Sequence, residues 1–339
     1  MRGSIMNSVK SLYAACLSVA LFSGPGSAQS APPVVLQIDV ENIVSYLEDA
    51  PDVSKLAMDT GMTTPAAGRT FEKNVTLGDI VAVNGVPVKG TLILNPRLLN
   101  LKPNPGPGAA IGDATRGNTC GGSLEILWPD GTQIGTIFVA DMGGGPAPPG
   151  SPVGATQGNF ALIGGSGAFM GVRGHGGSTA ASPAGRQASM TEDPANRRIN
   201  GGGKMSFFFQ LLPEERPQVI AMATGPAIVH SSNSQPVSAA NPAHAGETLT
   251  LFATGMGPVR AAINPGQPFP ASPLAVVNSP VGVKVNGTDA NVLYAGGYPG
   301  AVDGYQVNFT LPSGLAAGTA TLQLAAAWIP GDTVKFPVQ

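Results

Sequence analysis

The sequence predicts an all-β protein, an eight-stranded antiparallel barrel followed by an immunoglobulin-like β-sandwich. Three observations carry that reading. Glycine (47) and proline (32) occupy 79 of the 339 positions, which suits many turns between short strands and does not suit long helices. Apolar residues make up 42% and charged residues only 11%, a balance that folds. From Thr70 onward, short runs rich in β-branched and aromatic residues alternate with turn sequences. The length is enough for two domains, each with its own core.

Residues 1–28 read as a signal peptide. Arg2 and Lys10 precede a mostly apolar run, Leu12–Phe22, and the small residues Gly26-Ser27-Ala28, the three parts of a secretory signal cleaved after Ala28. The run is too short for a stable membrane anchor, so a secreted or periplasmic protein is expected. Cleavage would remove Cys16 and leave Cys120 as a small buried side chain with no disulfide partner. It would also take the net charge from −2 to −4 by removing Arg2 and Lys10, a surface that offers nothing to nucleic acid.

Residues 29–68 are expected to form an N-terminal arm. Val34–Val40 alternates as an extended segment, and Ile43, Val44, Leu47 and Leu56 are spaced to line one face of one or two short helices, broken by Asp49-Ala-Pro-Asp52. The barrel is assigned to 69–212. Its strand runs are Thr70–Leu77, Asp79–Val83, Val88–Leu94, Ser123–Trp128, Gln133–Ala140, Asn159–Ile163, Ala168–Arg173 and Lys204–Leu212, with Asn84-Gly85 and Pro129-Asp-Gly131 as hairpin turns. Leu77–Val88 has the look of a PDZ strand–turn–strand but reads as two barrel strands. Three long loops, Leu101–Gly117, Met142–Gly158 and Gly176–Gly203, belong at the mouths of such a barrel.

The stretch Gly164-Gly-Ser-Gly-Ala-Phe-Met-Gly-Val-Arg-Gly174, preceded by Asn159-Phe-Ala-Leu-Ile, resembles the Gly-Gly-Thr-Gly-x-Phe-x-x-Ala-Arg-Gly segment of allene oxide cyclase and dirigent-like barrels. Ser166 stands for Thr and Val172 for Ala. The resemblance implies a barrel with an apolar lumen that holds a small hydrophobic molecule and in some members steers its cyclisation or coupling. Gly164, Gly165, Gly167, Gly171 and Gly174 then form a structural glycine corner, and Arg173, Phe169, Ser166 and His175 are the candidate ligand-binding residues. Arg173 is the element's one charge, either a contact for an anion or enolate at a barrel mouth or an ordinary surface cation.

After a linker at 213–217, residues 218–339 show about seven strand runs: Val219–Met222, Thr248–Thr254, Val281–Val285, Ala290–Tyr294, Gly304–Thr310, Thr319–Ala326 and Thr333–Val338. Asn241–Pro258, Pro270-Ala-Ser-Pro-Leu-Ala275 and Gly304-Tyr-Gln-Val-Asn308 resemble the C-terminal immunoglobulin-like, TIG-type module of secreted acidobacterial proteins. That resemblance implies a non-catalytic spacer or adhesion unit.

Chemistry-bearing motifs are sparse. Gly165–Gly171 is no dinucleotide loop, because Gly171, Gly174, Gly176 and Gly177 forbid the helix that such a loop needs. The histidines at 175, 230 and 244 lack metal-ligand spacing, and no nucleophile elbow accompanies them. Asp79, Asp113, Glu125 and Asp141 are candidate lumen carboxylates, and their spacing selects none. No metal or cofactor is expected and the catalytic residues are unknown. The reading is a secreted, non-catalytic two-domain β protein that binds a small hydrophobic ligand or acts at the cell exterior, its candidate partners being that ligand or an extracellular polymer. The alternatives are an isomerase or cyclase working in the lumen and a structural surface or matrix protein with a filled barrel.

Overall fold

The computed structural model describes residues 34–47, 70–100, 117–142, 157–223 and 225–339. Among them strands dominate, and helix is limited to a 3-10 turn, Pro194–Arg198. Eight strands close an antiparallel barrel: β1 (Val34–Leu47), β2 (Thr70–Val83), β3 (Lys89–Asn100), β4 (Gly117–Leu127), β5 (Gln133–Met142), β6 (Gln157–Gly167), β7 (Arg173–Ser178) and β8 (Gly203–Leu212). Neighbours in sequence pair around the wall, and β8 returns to β1 through Leu36↔Phe209 and Ile38↔Phe207. Because β1 also pairs with β2, the ring leaves no open edge along these pairings.

Alternation sets the faces. Leu36, Ile38 and Val40 on β1 and Phe207, Phe209 and Leu211 on β8 are buried inside, while Gln37, Asp39 and Gln210 face out. The strand exceeds the expected extended segment. Val34–Leu47 is strand throughout, so the helix expected from Ile43 is absent as far as Leu47, and residues 48–58 lie outside the described residues. The expected arm is therefore a barrel stave, and the barrel begins at Val34 and not at 69. A bulge explains the false helical signal. Register slips between Val40 and Ile43, with Asn42 at φ 53°, so Val40 and Ile43, three residues apart, both face the core, and Val44, on the other face, is buried as well.

Two further expectations are corrected. Thr70–Leu77 and Asp79–Val83 form a single strand, β2, and Gly78 faces inward against Val40 and Ile43. Of the expected strand Ala168–Arg173, Ala168–Val172 is the turn, and the stave is Arg173–Ser178, part of which the composition assigned to a soft loop. Gly174 and Gly176 lie opposite Leu211 and Phe209, and a Cβ on Gly176 would stand 2.5 Å from Phe209 Cδ1. Gly176 makes room for the Phe209 ring and Gly174 for the Gln210 carbonyl, so strand propensity is no guide to them.

The two ends of the barrel differ. Tight turns, at Asn84-Gly85, Pro129–Gly131 and Ala168–Val172, join strands at one end, called here the near end. The β1–β2, β3–β4, β5–β6 and β7–β8 connections all leave strand ends at the far end. The first three, including the proline-rich loops expected at 101–117 and 142–158, lie almost wholly outside the described residues. In the fourth, a short strand Arg186–Ser189 pairs in parallel with Val44–Leu47 of β1.

The remaining residues form a second, nearly closed sheet: β9 (Thr248–Thr254), β10 (Val281–Val285), β11 (Thr288–Gly297), β12 (Tyr305–Thr310), β13 (Gly318–Ala326) and β14 (Ile329–Val338), with short added strands. The start of β11 pairs with β10 and the rest with β12, so one long strand serves two ladders around a core that includes Leu251, Val283, Val307, Phe309, Leu322 and Phe336. Six of the seven strand runs expected here fall on observed strands, and Val219–Met222 is divided into Gln218–Val219, which pairs with β9, and Ala221–Met222, which pairs with Gly225–Pro226.

The second sheet stoppers the barrel's near end. Ala327 and Ile329, at the tip of the β13–β14 hairpin, belong to the barrel's core cluster, and Trp328 packs on it. Both turn residues have positive φ, 49° at Ala327 and 62° at Trp328, where Asn-Gly is the usual choice. Around the tip, Trp128 Nε1 donates to the Asn278 carbonyl (3.2 Å), and the Asn278 amide donates to the Gln133 carbonyl. Arg260 lies 5.7 Å over the Trp128 ring and reaches Asp130 at 3.2 Å.

The barrel's own contribution to this end is Phe169, 1% exposed, whose ring drops onto glycine. A Cβ on Gly135 would come within 2.9 Å of Phe169 Cδ2, and one on Gly165 would overlap the Phe169 carbonyl. Gly167 turns the chain at φ 62°. Gly164 faces outward and meets only Arg173 Nη1. Gly165→Ala should therefore cost about 1–3 kcal/mol in urea unfolding, and Gly164→Ala less than about 0.5 kcal/mol. Equal losses would show that the corner does not depend on the Phe169 seat.

Candidate functional site

The lumen was the expected site, and apolar side chains fill its described part. Leu92, Leu124, Ile126, Ile137, Val139 and Leu162 join the β1 and β8 residues, all at most 5% exposed. Phe160, Phe207 and Phe209 form an aromatic cluster with centroids 5.6–6.3 Å apart. At the near end, a cavity of about 50 Å³ remains between Phe169, Met256, Ala327 and Ile329, room for a few waters and no organic ligand. Toward the far end the lining becomes more polar. Ser45 and Thr76 share a hydrogen bond of 2.9 Å, and Ser178 and Cys120 are buried on the same inner face by strand alternation.

The four predicted ligand-binding residues do not come together. Phe169 is core. Ser166 pairs with Thr136 on the wall and is half-buried. Arg173 is exposed and donates to the Ile163 carbonyl across the corner. His175 faces outward, its Nε2 3.0 Å from Gln210 Oε1. Of the glycine corner, Gly167, Gly171 and Gly174 take positive φ, while Gly165 provides the close approach. His230 is held by Glu247 (3.0 Å) and the Asn241 carbonyl (3.3 Å) in the second sheet.

The candidate carboxylates are also placed elsewhere. Glu125 lies on the outer wall, in reach of Gln133, Asp113 lies outside the described residues, and of Asp141 only the backbone is described, pairing with Phe160. Asp79 is the centre of a charged cluster on the outside of β2. Its Oδ1 accepts from Arg197 Nη2 (2.6 Å) and Arg198 Nη2 (2.8 Å), and its Oδ2 accepts from Arg198 Nε and Asn42 Nδ2 (both 2.9 Å). The arginines arrive on the 3-10 turn, which Asp193 caps by accepting from the Ala195 N–H (2.8 Å). Tyr46 donates to the Pro194 carbonyl beneath it (3.3 Å), and burial, with Glu192 next, pushes its phenol pKa up. Nearby, Arg186 and Glu192 form a two-pronged pair. The cluster ties the 179–202 connection to the barrel wall, and sequence reasoning missed it because its partners are 118 and 119 residues apart. Among the described residues no cluster of His, Cys, Asp or Glu is arranged to hold a metal ion.

No family model matches the chain, and no curated protein matches it. Among solved structures, a polysaccharide lyase superposes at a TM-score of 0.19 and 10% identity, over 90% of this chain and 40% of that protein's length. The superposition is too slight to carry an argument.

Burial is the largest influence on the Asp79 carboxyl and would raise its pKa. The hydrogen bonds from Arg198, Asn42 and Arg197 outweigh it and hold the pKa below the usual carboxylate value. A depressed folded-state pKa means that its stabilisation is present above the unfolded carboxylate value and is lost as pH falls through the folded one. Asp79→Asn should cost on the order of 3 kcal/mol at neutral pH and flatten the loss of stability below about pH 4. Urea unfolding at a series of pH values checks this, and an unchanged acid limb would remove Asp79 as its source.

Proposed function

We propose that this is a secreted, non-catalytic β protein of the cell exterior in which the barrel is a structural core. The second sheet, read as an immunoglobulin-like unit, is its cap and spacer. The observation that supports this reading is the filling of the described part of the lumen by apolar side chains together with the stopper at Ala327–Ile329. A barrel that carries a ligand keeps space for it, whereas here aromatic and branched side chains take that space. The outward placement of Arg173 and His175 also leaves the corner without a converging set of polar groups.

A second reading places a small hydrophobic ligand, or an isomerase or cyclase reaction upon one, at the far end of the lumen. It is favoured by Ser45, Thr76, Ser178 and Cys120, which could orient a molecule above the phenylalanine cluster.

Phe209→Ala separates the two. For a structural core, the variant should lose about 3–5 kcal/mol of stability, and native mass spectrometry of the exported protein should give the bare mass. A loss below about 1 kcal/mol, with a copurifying small molecule that disappears in the variant, would overturn the structural reading in favour of the ligand barrel.

A further inference from the structure

The second sheet carries a cleft that the proposed function leaves unused. Its volume is about 260 Å³, and it lies under the loop that runs from Gly257 to Gln267. Phe269 and Tyr305 form its floor, their rings tilted at 57° with centroids 5.2 Å apart. Ile263 and the exposed Val302 add apolar walls. Asn264, Gln267 and Asp303 supply its rim. Both amide side chains are exposed and make no hydrogen bond to other described residues, so their donors and acceptors remain available.

The cleft is built before any ligand arrives. Tyr305 donates its hydroxyl to the Gly257 carbonyl (2.7 Å), and burial, with Asp303 and Glu215 adding to it, keeps the phenol protonated. The Gln267 N–H closes a turn on the Asn264 carbonyl (3.1 Å), and the Phe269 N–H donates to Ala301 (2.9 Å). Pro258, Pro265 and Pro268 stiffen the loop. Asp303 brings the lining's one ionised group, a carboxylate. Arg260, close by in sequence, points its guanidinium away, into Asn278 (2.9 Å) and Asp130 (3.2 Å).

We infer that this cleft binds one neutral polyhydroxylated ring, a hexose unit standing alone or within a glycan. An apolar floor accepts the C–H face of such a ring, and two amides and a carboxylate match hydroxyls, which both donate and accept. The single negative charge, with no cation turned inward, disfavours uronic acids and phosphates. The size also argues for one ring, since it falls below the roughly 300 Å³ at which sites for drug-sized ligands begin. The inference does not rest on whether the barrel is a packed core.

The test is titration of the full-length protein with D-glucose, followed by two-dimensional amide NMR, with D-glucuronate and ethylammonium as comparison probes. Saturable shifts confined to the amides of 257–269 and 302–305 are expected with glucose. Asn264→Ala and Gln267→Ala should each raise Kd about three- to tenfold, and Asp303→Asn, which keeps a residue tolerant of the φ of 53° there, should let glucuronate bind. Absence of saturable glucose shifts, shifts scattered over the surface, or equal binding of glucuronate or ethylammonium to the unaltered protein would overturn the inference.

Discussion

The seating of Phe169 on bare glycine backbone is the contact on which the near end of the molecule depends. The ring can lie against Gly135, and the Phe169 carbonyl against Gly165, only because neither glycine carries a Cβ. With the ring in place, the β6–β7 corner closes over the lumen and offers Ala327 and Ile329 an apolar surface. The second sheet is therefore fastened through the barrel's own core. Polar contacts at Trp128, Asn278 and Arg260 fix the rotation of one body on the other, but burial provides the larger driving force.

At the far end the organising constraint is electrostatic. The bulge at Asn42 bends β1 just where β8 begins and the Arg186–Ser189 strand takes its place. Two guanidiniums on one carboxylate would be a poor bargain in water. Here Asp79 is nearly buried and Arg197 with it, so the cluster holds the excursion in a single position. Arg197 Nε is left without a partner among the described residues, the cost of bringing two long side chains to one acceptor.

Much of the architecture was legible in the sequence, and the failures have physical causes. The second sheet reads well because its strands alternate regularly and are joined at turns such as Asn286-Gly287, where Asn286 takes φ 49° and accepts from the Thr321 N–H. β1 was misread because a one-residue bulge counterfeits helical spacing. β7 was misread because its inward glycines make room for the facing strand, Gly176 for the Phe209 ring and Gly174 for the Gln210 carbonyl, and no local propensity records that. The site residues fared worse. Phe169 was singled out by its motif, yet the corner resets the phase of alternation, so the faces of Arg173 and His175 could not be counted forward from it. The Asp79 cluster left one local trace, the Asp193-Pro194 start of a helical turn with two arginines at its end, and the carboxylate that explains them lies on another strand.

The pairing of β8 with β1 bears on how the chain reaches its final form. Ring closure joins residues 34–43 to 203–211, so most of the wall must exist before its seam can form. Until then β1 and β8 are free edges, each able to recruit a stray strand. The hairpin that stoppers the barrel is later still, at 327–329. Contacts this remote in sequence fold slowly, on the millisecond to second scale typical of β topologies, and a chain fed from its N-terminus would match one edge of its first stave to β2 and hold the other open for most of that delivery. Assembly from end to end thus makes the last hairpin the step that commits the earlier strands to a finished interior.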